Sequence, residues 1–192
     1  MAKESTFKNM TLTLLTVTLL ASASLGFVYS FTKGPIDDAQ NAKINLAISQ
    51  VLREFDNRPS DVKFTREVDG GVLTFYPATK GGEPVGMAIQ TFTKNGFSGQ
   101  IDLMVGFLSD GTIHAIEVIA HKETPGLGDK MESGKSDFSV QFQGKNPRDF
   151  KLAVKKDGGN VDAITASTIS SRAYCDAVQR AFDAFVKEGG EK

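Results

Sequence analysis

Tryptophan is absent and cysteine occurs once, at Cys175, in a chain of 192 residues. A single thiol excludes an internal disulfide, a CxxCH haem attachment and an iron–sulfur cluster ligated by this chain's cysteines alone. Two histidines argue against a zinc site built by the protein alone, and no metal site is expected. Charge of one sign is lacking too: 22 basic residues face 23 acidic ones, a net charge of −1. Nucleic-acid binding needs a clear basic excess, so no nucleic-acid partner is expected. Catalytic signatures are equally thin. Gly126-x-Gly128 has Met131 where a dinucleotide fingerprint needs its third glycine, and neither a Walker sequence nor a nucleophile elbow appears. Glu117, Glu123, Asp129 and Glu132 are scattered carboxylates that sequence cannot pair. His114 reads as an ordinary strand residue, and Cys175, inside a helical stripe with no placed histidine, reads as inert.

What the chain does have is one long uncharged run, Met10–Phe31. At about 1.5 Å per helical residue it extends roughly 33 Å, enough for a hydrocarbon core about 30 Å thick. A secretory signal competes, with Lys3 and Lys8 as a basic start and Ala21-Ser22-Ala23 as a cleavage-like triplet. The apolar run continues past that triplet through Leu25, Phe27, Val28 and Phe31, and Tyr29 suits an interfacial position, which favours an uncleaved anchor. Its threonines and serines make it a moderately apolar helix suited to protein neighbours. Lys33 and Lys43 follow the run, so the basic residues only slightly favour a cytoplasmic N-terminus. The expected organisation is a cytoplasmic 1–9, a transmembrane helix over 10–32 ended by Gly34-Pro35, and one domain over 33–192.

Beyond the anchor, Ile44, Ala47, Ile48, Val51, Leu52 and Phe55 form a helical stripe. The pattern then turns to strands over Val72–Tyr76, Val85–Phe92, Ile101–Leu108 and Thr112–Ala120, with Asp110-Gly111 as the sharpest hairpin signal. Phe150–Val154 and Val161–Ile164 read as strands around a second turn at Asp157-Gly158-Gly159. Tyr174, Ala177, Val178, Ala181, Phe182 and Phe185 close the chain as a second helical stripe. Strands gathered between helices predict an α+β domain with a mainly antiparallel sheet.

Two stretches carry candidate chemistry. Asp162–Ser171 (DAITASTISS) holds five hydroxyls in seven residues at a strand-to-helix switch. Capping accounts for one hydroxyl, Ser167 or Thr168; the free N–H groups and positive dipole end of such a terminus also make it an anion seat, above all for phosphate. His121–Asp129 (HKETPGLGD) has the composition of a surface loop, and functional loops share it.

Together the two stretches resemble the FMN-binding domain found in the G subunit of Rnf-type ion-translocating electron transport complexes, related to the C subunit of the sodium-pumping NADH:quinone reductase. The likeness covers nearly the whole chain: an anchor, the loop Glu123-Thr124-Pro125-Gly126-Leu127-Gly128, and a flavinylation motif before the last helix. That motif reads Asp-x-x-Ser/Thr-Gly-Ala-Ser/Thr, with FMN attached through its phosphate to the final hydroxyl. Asp162, Thr165 and Thr168 fall in register, so the resemblance implies Thr168 as the covalent acceptor. Ala166 and Ser167 stand where Gly and Ala are usual, and Ser167 remains a rival acceptor. The resemblance further implies an extracytoplasmic domain on a prokaryotic inner membrane, serving as a redox relay without substrate turnover of its own. Electrons would run between ferredoxin and NAD, coupled to sodium or proton movement. Its implied partners are the other members of the complex, including a second flavinylated one, and a flavin transferase using FAD and magnesium. The charge of the tethered phosphate is expected to rest on the helix start at Thr168, Ile169 and Ser170. The loop Glu123–Gly128 is expected to line the flavin, with His121 in the same neighbourhood. A membrane-anchored anion-binding module without a redox centre, a noncovalent FMN enzyme and a component like the quinone-reductase C subunit are the alternatives.

Overall fold

The computed structural model describes residues 6–189; Lys3 of the basic start lies outside them. Helix α1 (Phe7–Val51) is followed by β1 (Phe64–Val68), β2 (Gly71–Lys80), β3 (Glu83–Gly96), β4 (Gly99–Leu108) and β5 (Ile113–Ala120), then three short 3-10 turns and helix α2 (Thr168–Lys187). The chain divides into two units, Met1–Lys43 and Ile44–Lys192.

In the first unit the described side chains lie on the helix surface, Leu14 and Phe27 among them, and the helix is long and apolar enough to cross a membrane. Its hydroxyls do not break it. Thr11, Thr13, Thr16, Thr18, Ser30 and Thr32 each donate to the carbonyl one turn back, at 2.7–2.9 Å. A polar group satisfied within its own helix is far cheaper to place in lipid. The helix does not end at Gly34-Pro35 as expected but runs through Pro35 to Val51. Proline's fixed φ is helical, so the helix can continue at the cost of one backbone bond and of crowding between the ring and the carbonyl one turn back, and Pro35 with Asp37 and Asp38 behind it is also good helix-start chemistry. Stop and start signals coincide, and the anchor and the following stripe form one element.

The second unit is built on an antiparallel meander, β1-β2-β3-β4-β5 in sequence order. Strand alternation sorts its two faces. Phe75, Ile89, Leu103 and Val105 belong to the larger core, closed by Tyr174, Ala177, Val178, Ala181 and Phe185 of α2. Tyr76, Ala88 and Met104 belong to a smaller core with Ala47, Ile48, Val51 and Leu52 from the end of α1. That end is tightly seated, since a Cβ added to Gly106 of β4 would collide with the Val51 carbonyl oxygen. His114 on β5 places Nδ1 3.0 Å from the same oxygen and donates to it, capping the helix end. The hairpin turn is held by the Asp110 carboxylate, which accepts the Thr112 N–H at 2.9 Å and keeps its pKa below the ordinary carboxylate range.

Two strand expectations are corrected. Phe150–Val154 and Val161–Ile164 form no hairpin arms; only an isolated parallel bridge joins Val154 to Val161. Lys155–Asp157 is a 3-10 turn whose backbone is satisfied locally, Lys155 N–H to Val161 O at 2.8 Å and Val161 N–H to Ala153 O at 3.0 Å. The valines are apolar because the core buries them, not because they extend a sheet. Conversely β1, Phe-Thr-Arg-Glu-Val, is an edge strand with an exposed middle and so carries little periodic signal.

Candidate functional site

The site forms where three connections meet: the β3–β4 turn, the loop after β5, and the start of α2. Glu123 links all three. Its side chain is buried at 5% exposure; Oε1 accepts the Ser98 N–H of the β3–β4 turn at 2.9 Å, and Oε2 accepts the Ser170 hydroxyl of α2 at 2.6 Å. The loop must pass close to this pair. A Cβ on Gly128 would stand 2.6 Å from Glu123 Oε2 and 2.7 Å from Ser170 Oγ, so only glycine fits there. Gly126 turns the chain at φ +77°, and Leu127 N–H closes the turn onto Thr124 O at 3.2 Å.

A charged bracket holds the loop from behind. The Glu123 N–H donates to His121 Nδ1 at 3.0 Å, so the ring proton sits on Nε2 and is donated to Glu132 Oε1 at 2.6 Å. Lys135 Nζ then joins Glu132 at 2.9 Å and Asp129 at 3.0 Å. Hydrogen bonds from His121 and Lys135 hold the Glu132 carboxyl below its usual range, and Lys135 does the same for Asp129. His121 is therefore a brace of the loop and faces Glu132 rather than the cavity described next.

At the start of α2 the backbone is strained. Ala166 has φ +61°, the one non-glycine residue in the left-handed region among the described residues. Left-handed backbone costs an L-residue about 1–2 kcal/mol, and such strain gathers at functional sites. It turns the chain sharply into the helix. Ser167 occupies the cap position without making a side-chain cap bond. Ser171 folds inward, accepting the Ile164 N–H at 2.9 Å and donating to Ser167 O at 2.9 Å. The backbone N–H groups of Thr168, Ile169 and Ser170 and the hydroxyl of Thr168 have no acceptor or donor partner among the described residues. Arg172 fixes this turn by a paired contact with Asp157, at 2.6 and 2.8 Å.

Between these parts lies a cavity of about 320 Å³, within the range usual for cofactor sites. It brings together Glu123, Thr124, Leu127 and Gly128 from the loop with Ser167, Thr168, Ile169 and Ser170 from the helix start. Ala166 and Phe97 also line it. Pro125, Gly126, Asp162 and Thr165 do not. Asp162 lies on the outer surface, its carboxylate 2.7 Å from Lys155 Nζ and its backbone held by Gln141. Cys175 lies in the core, where burial pushes its thiol up to about 12, out of reach of redox or nucleophilic chemistry. A larger depression of about 650 Å³ lies by Arg53, Lys80 and Asp110; it holds the Lys80–Glu54 ion pair and none of the hydroxyl cluster. Phe97 and Ala166 are the cavity residues absent from the sequence-based set, Ala166 figuring there only as a departure from the motif's glycine. Phe97 had a signal of its own, an aromatic framed by glycines in Asn95-Gly96-Phe97-Ser98-Gly99.

Donor N–H groups beside an unpartnered hydroxyl, next to a partly apolar cavity, fit a phosphate-linked aromatic cofactor. Comparison with known proteins points to FMN as the class of cofactor. The FMN-binding domain family matches residues 96–183, the stretch from the β3–β4 turn through α2. The chain is 35% identical over 176 residues to the G subunit of the ion-translocating oxidoreductase complex of Shewanella loihica, covering 84% of this chain and 81% of that one. It is 34% identical over 185 residues to the corresponding G subunit of Pseudomonas aeruginosa, covering 87% and 83%. Against the G subunit of Erwinia tasmaniensis it is 45% identical over 108 residues, covering 55% and 51%. The chain belongs to the family of G subunits of Rnf-type ion-translocating oxidoreductase complexes.

Proposed function

We propose that this chain is an electron-carrying subunit of a membrane-bound ion-translocating oxidoreductase complex and holds FMN through a phosphoester from Thr168 Oγ1. The observation that carries the assignment is the Thr168 hydroxyl, half-buried and without a partner, on a cavity beside three N–H groups with no acceptor among the described residues. The Ser167 hydroxyl also has no partner among the described residues, but Ser167 is buried at 7% exposure, which makes it the poorer target for a modifying enzyme. Attachment requires the Thr168 oxygen to bond the flavin-side phosphorus of FAD, releasing AMP and the hydroxyl proton.

The flavin, once bound, supplies reversible electron storage; the protein supplies position and electrostatics. The N–H groups of the first α2 turn hold the single negative charge of the phosphodiester, an interaction worth about 0.3–1 kcal/mol at an exposed terminus and up to about 2 when partly buried. Glu123 does not compete for them, since its two oxygens already accept from Ser98 and Ser170. Gly128 lets the loop close against the helix, and Thr124 offers a hydroxyl donor to the cavity. Asp162 and Thr165, outside the cavity, are exposed beside the helix start, where a modifying enzyme can reach them. A covalent tether keeps the cofactor where free flavin is scarce, because dissociation by mass action no longer applies. The domain works on the extracytoplasmic face of a prokaryotic inner membrane, held there by the anchor, and relays electrons to or from neighbouring members of the complex, including a second flavinylated one. The overall reaction is electron transfer between ferredoxin and NAD coupled to sodium or proton movement.

The test is Thr168→Val in the full chain, expressed with the flavin transferase. In-gel flavin fluorescence after denaturation is expected to vanish, while Ser167→Ala keeps it. Undiminished fluorescence in the Thr168 variant would move the attachment elsewhere.

A further inference from the structure

Phe97 is 66% exposed, in the short turn between β3 and β4, yet it lines the same cavity as Thr168. Leu127, 41% exposed, and Ile169, 48% exposed, line that cavity from the loop and from α2. A single exposed apolar side chain is ordinary. Here a turn, a loop and the first turn of a helix each present one to the same concavity, the pattern of a ligand seat. The turn carrying Phe97 is also fixed. Ser98 N–H is bonded to Glu123 Oε1 at 2.9 Å, and a Cβ on Gly96 would stand 2.9 Å from that oxygen, so the turn rests directly on the carboxylate that holds Ser170. The turn therefore holds the aromatic residue at the cavity, where the other described residues leave it largely uncovered.

We infer that Phe97 is the aromatic wall on which the ring system of the tethered flavin rests, with Leu127 and Ile169 completing an apolar seat. This rests on the reading of Thr168 as the flavin-bearing residue. Flat aromatic systems gain offset-stacked or edge contacts with a phenyl ring beyond simple area burial, and a tether at Thr168 keeps the ring within reach of the wall. Glu123 acts as a positioning residue, because it ties the Phe97 turn to the helix start that bears the tether.

The experiment uses the full chain, flavinylated by the transferase, in three forms: unsubstituted, Phe97→Trp and Phe97→Leu. Covalent flavin is read first by in-gel fluorescence after denaturation. Native flavin emission and its quenching by iodide are then measured. An indole in contact with the ring gives an electron to the photoexcited flavin and takes it back, so emission is lost without net chemistry. Phe97→Trp is expected to keep its covalent flavin and lose native emission by about fivefold or more relative to the unsubstituted chain. Phe97→Leu is expected to raise the iodide quenching constant about twofold, since the ring loses its aromatic cover. Full covalent flavin with unchanged emission in Phe97→Trp and unchanged quenching in Phe97→Leu would overturn the assignment. Should Phe97→Trp take up no flavin, the leucine variant decides alone by the same criterion. Absence of covalent flavin from the unsubstituted chain would instead refute the Thr168 reading, a result distinct from failure of the wall.

Discussion

The molecule has two hydroxyl-rich segments, and they use their hydroxyls in opposite ways. Along α1, Thr11, Thr13, Thr16, Thr18, Ser30 and Thr32 all donate to their own helix, which uses up the donor each could offer a ligand. At the start of α2, Ser171 and Ser170 are spent on Ile164, Ser167 and Glu123, while Thr168 is left over beside a cavity. Composition does not distinguish the two segments. Backbone does: inside a regular helix the carbonyl one turn back is always within reach. The left-handed Ala166 and the first turn of α2 remove that default partner from Thr168.

The comparison can be sharpened by substitution, and the largest effect belongs to Thr168, where valine abolishes covalent flavin and serine retains it. The next concerns Glu123. Alanine there strips the partner from the buried Ser170 hydroxyl as well as from the Ser98 N–H, and leaving a buried polar group unsatisfied costs about 1–3 kcal/mol. The urea midpoint of Glu123→Ala should fall accordingly, while Glu123→Gln, which keeps an acceptor, should lose less than half as much.

These two residues also show how far the sequence could be read. Thr168 was singled out in the sequence through the resemblance, because the motif that places Asp162, Thr165 and Thr168 in register is local and needs no knowledge of packing. The antiparallel sheet from β2 to β5 and the helical stripes at both ends of the domain were legible because their apolar periods are strong and their turns, such as Asp110-Gly111, are chemically marked. Glu123 was visible only as a member of a loop: its bonds to Ser98 and Ser170 span 25 and 47 residues. No local pattern encodes such pairing. Phe97 stayed hidden for the same reason, as did the failure of Phe150–Val154 to form a strand, since burial against a helix and burial within a sheet leave the same apolar trace.

Smaller effects follow. Ala166→Gly should raise stability by up to about 1 kcal/mol, because glycine adopts the left-handed region freely, although its unfolded chain offsets part of the gain. A urea midpoint that moves down would show that the Ala166 methyl makes a contact outweighing the strain. Smallest of all, Thr16→Val and Thr18→Val should change resistance to detergent unfolding by no more than about 0.5 kcal/mol and leave flavin content unchanged. A large loss there would mean that these α1 hydroxyls bind a partner and that the contrast between the segments is false.

The most direct test is the intact mass of the chain purified from a host that carries the transferase, followed by peptide mapping. One FMN joined through phosphate to the peptide containing Thr168, on that side chain, is the predicted result. A bare Thr168, or flavin mapped to Ser167 or any other residue, would contradict it.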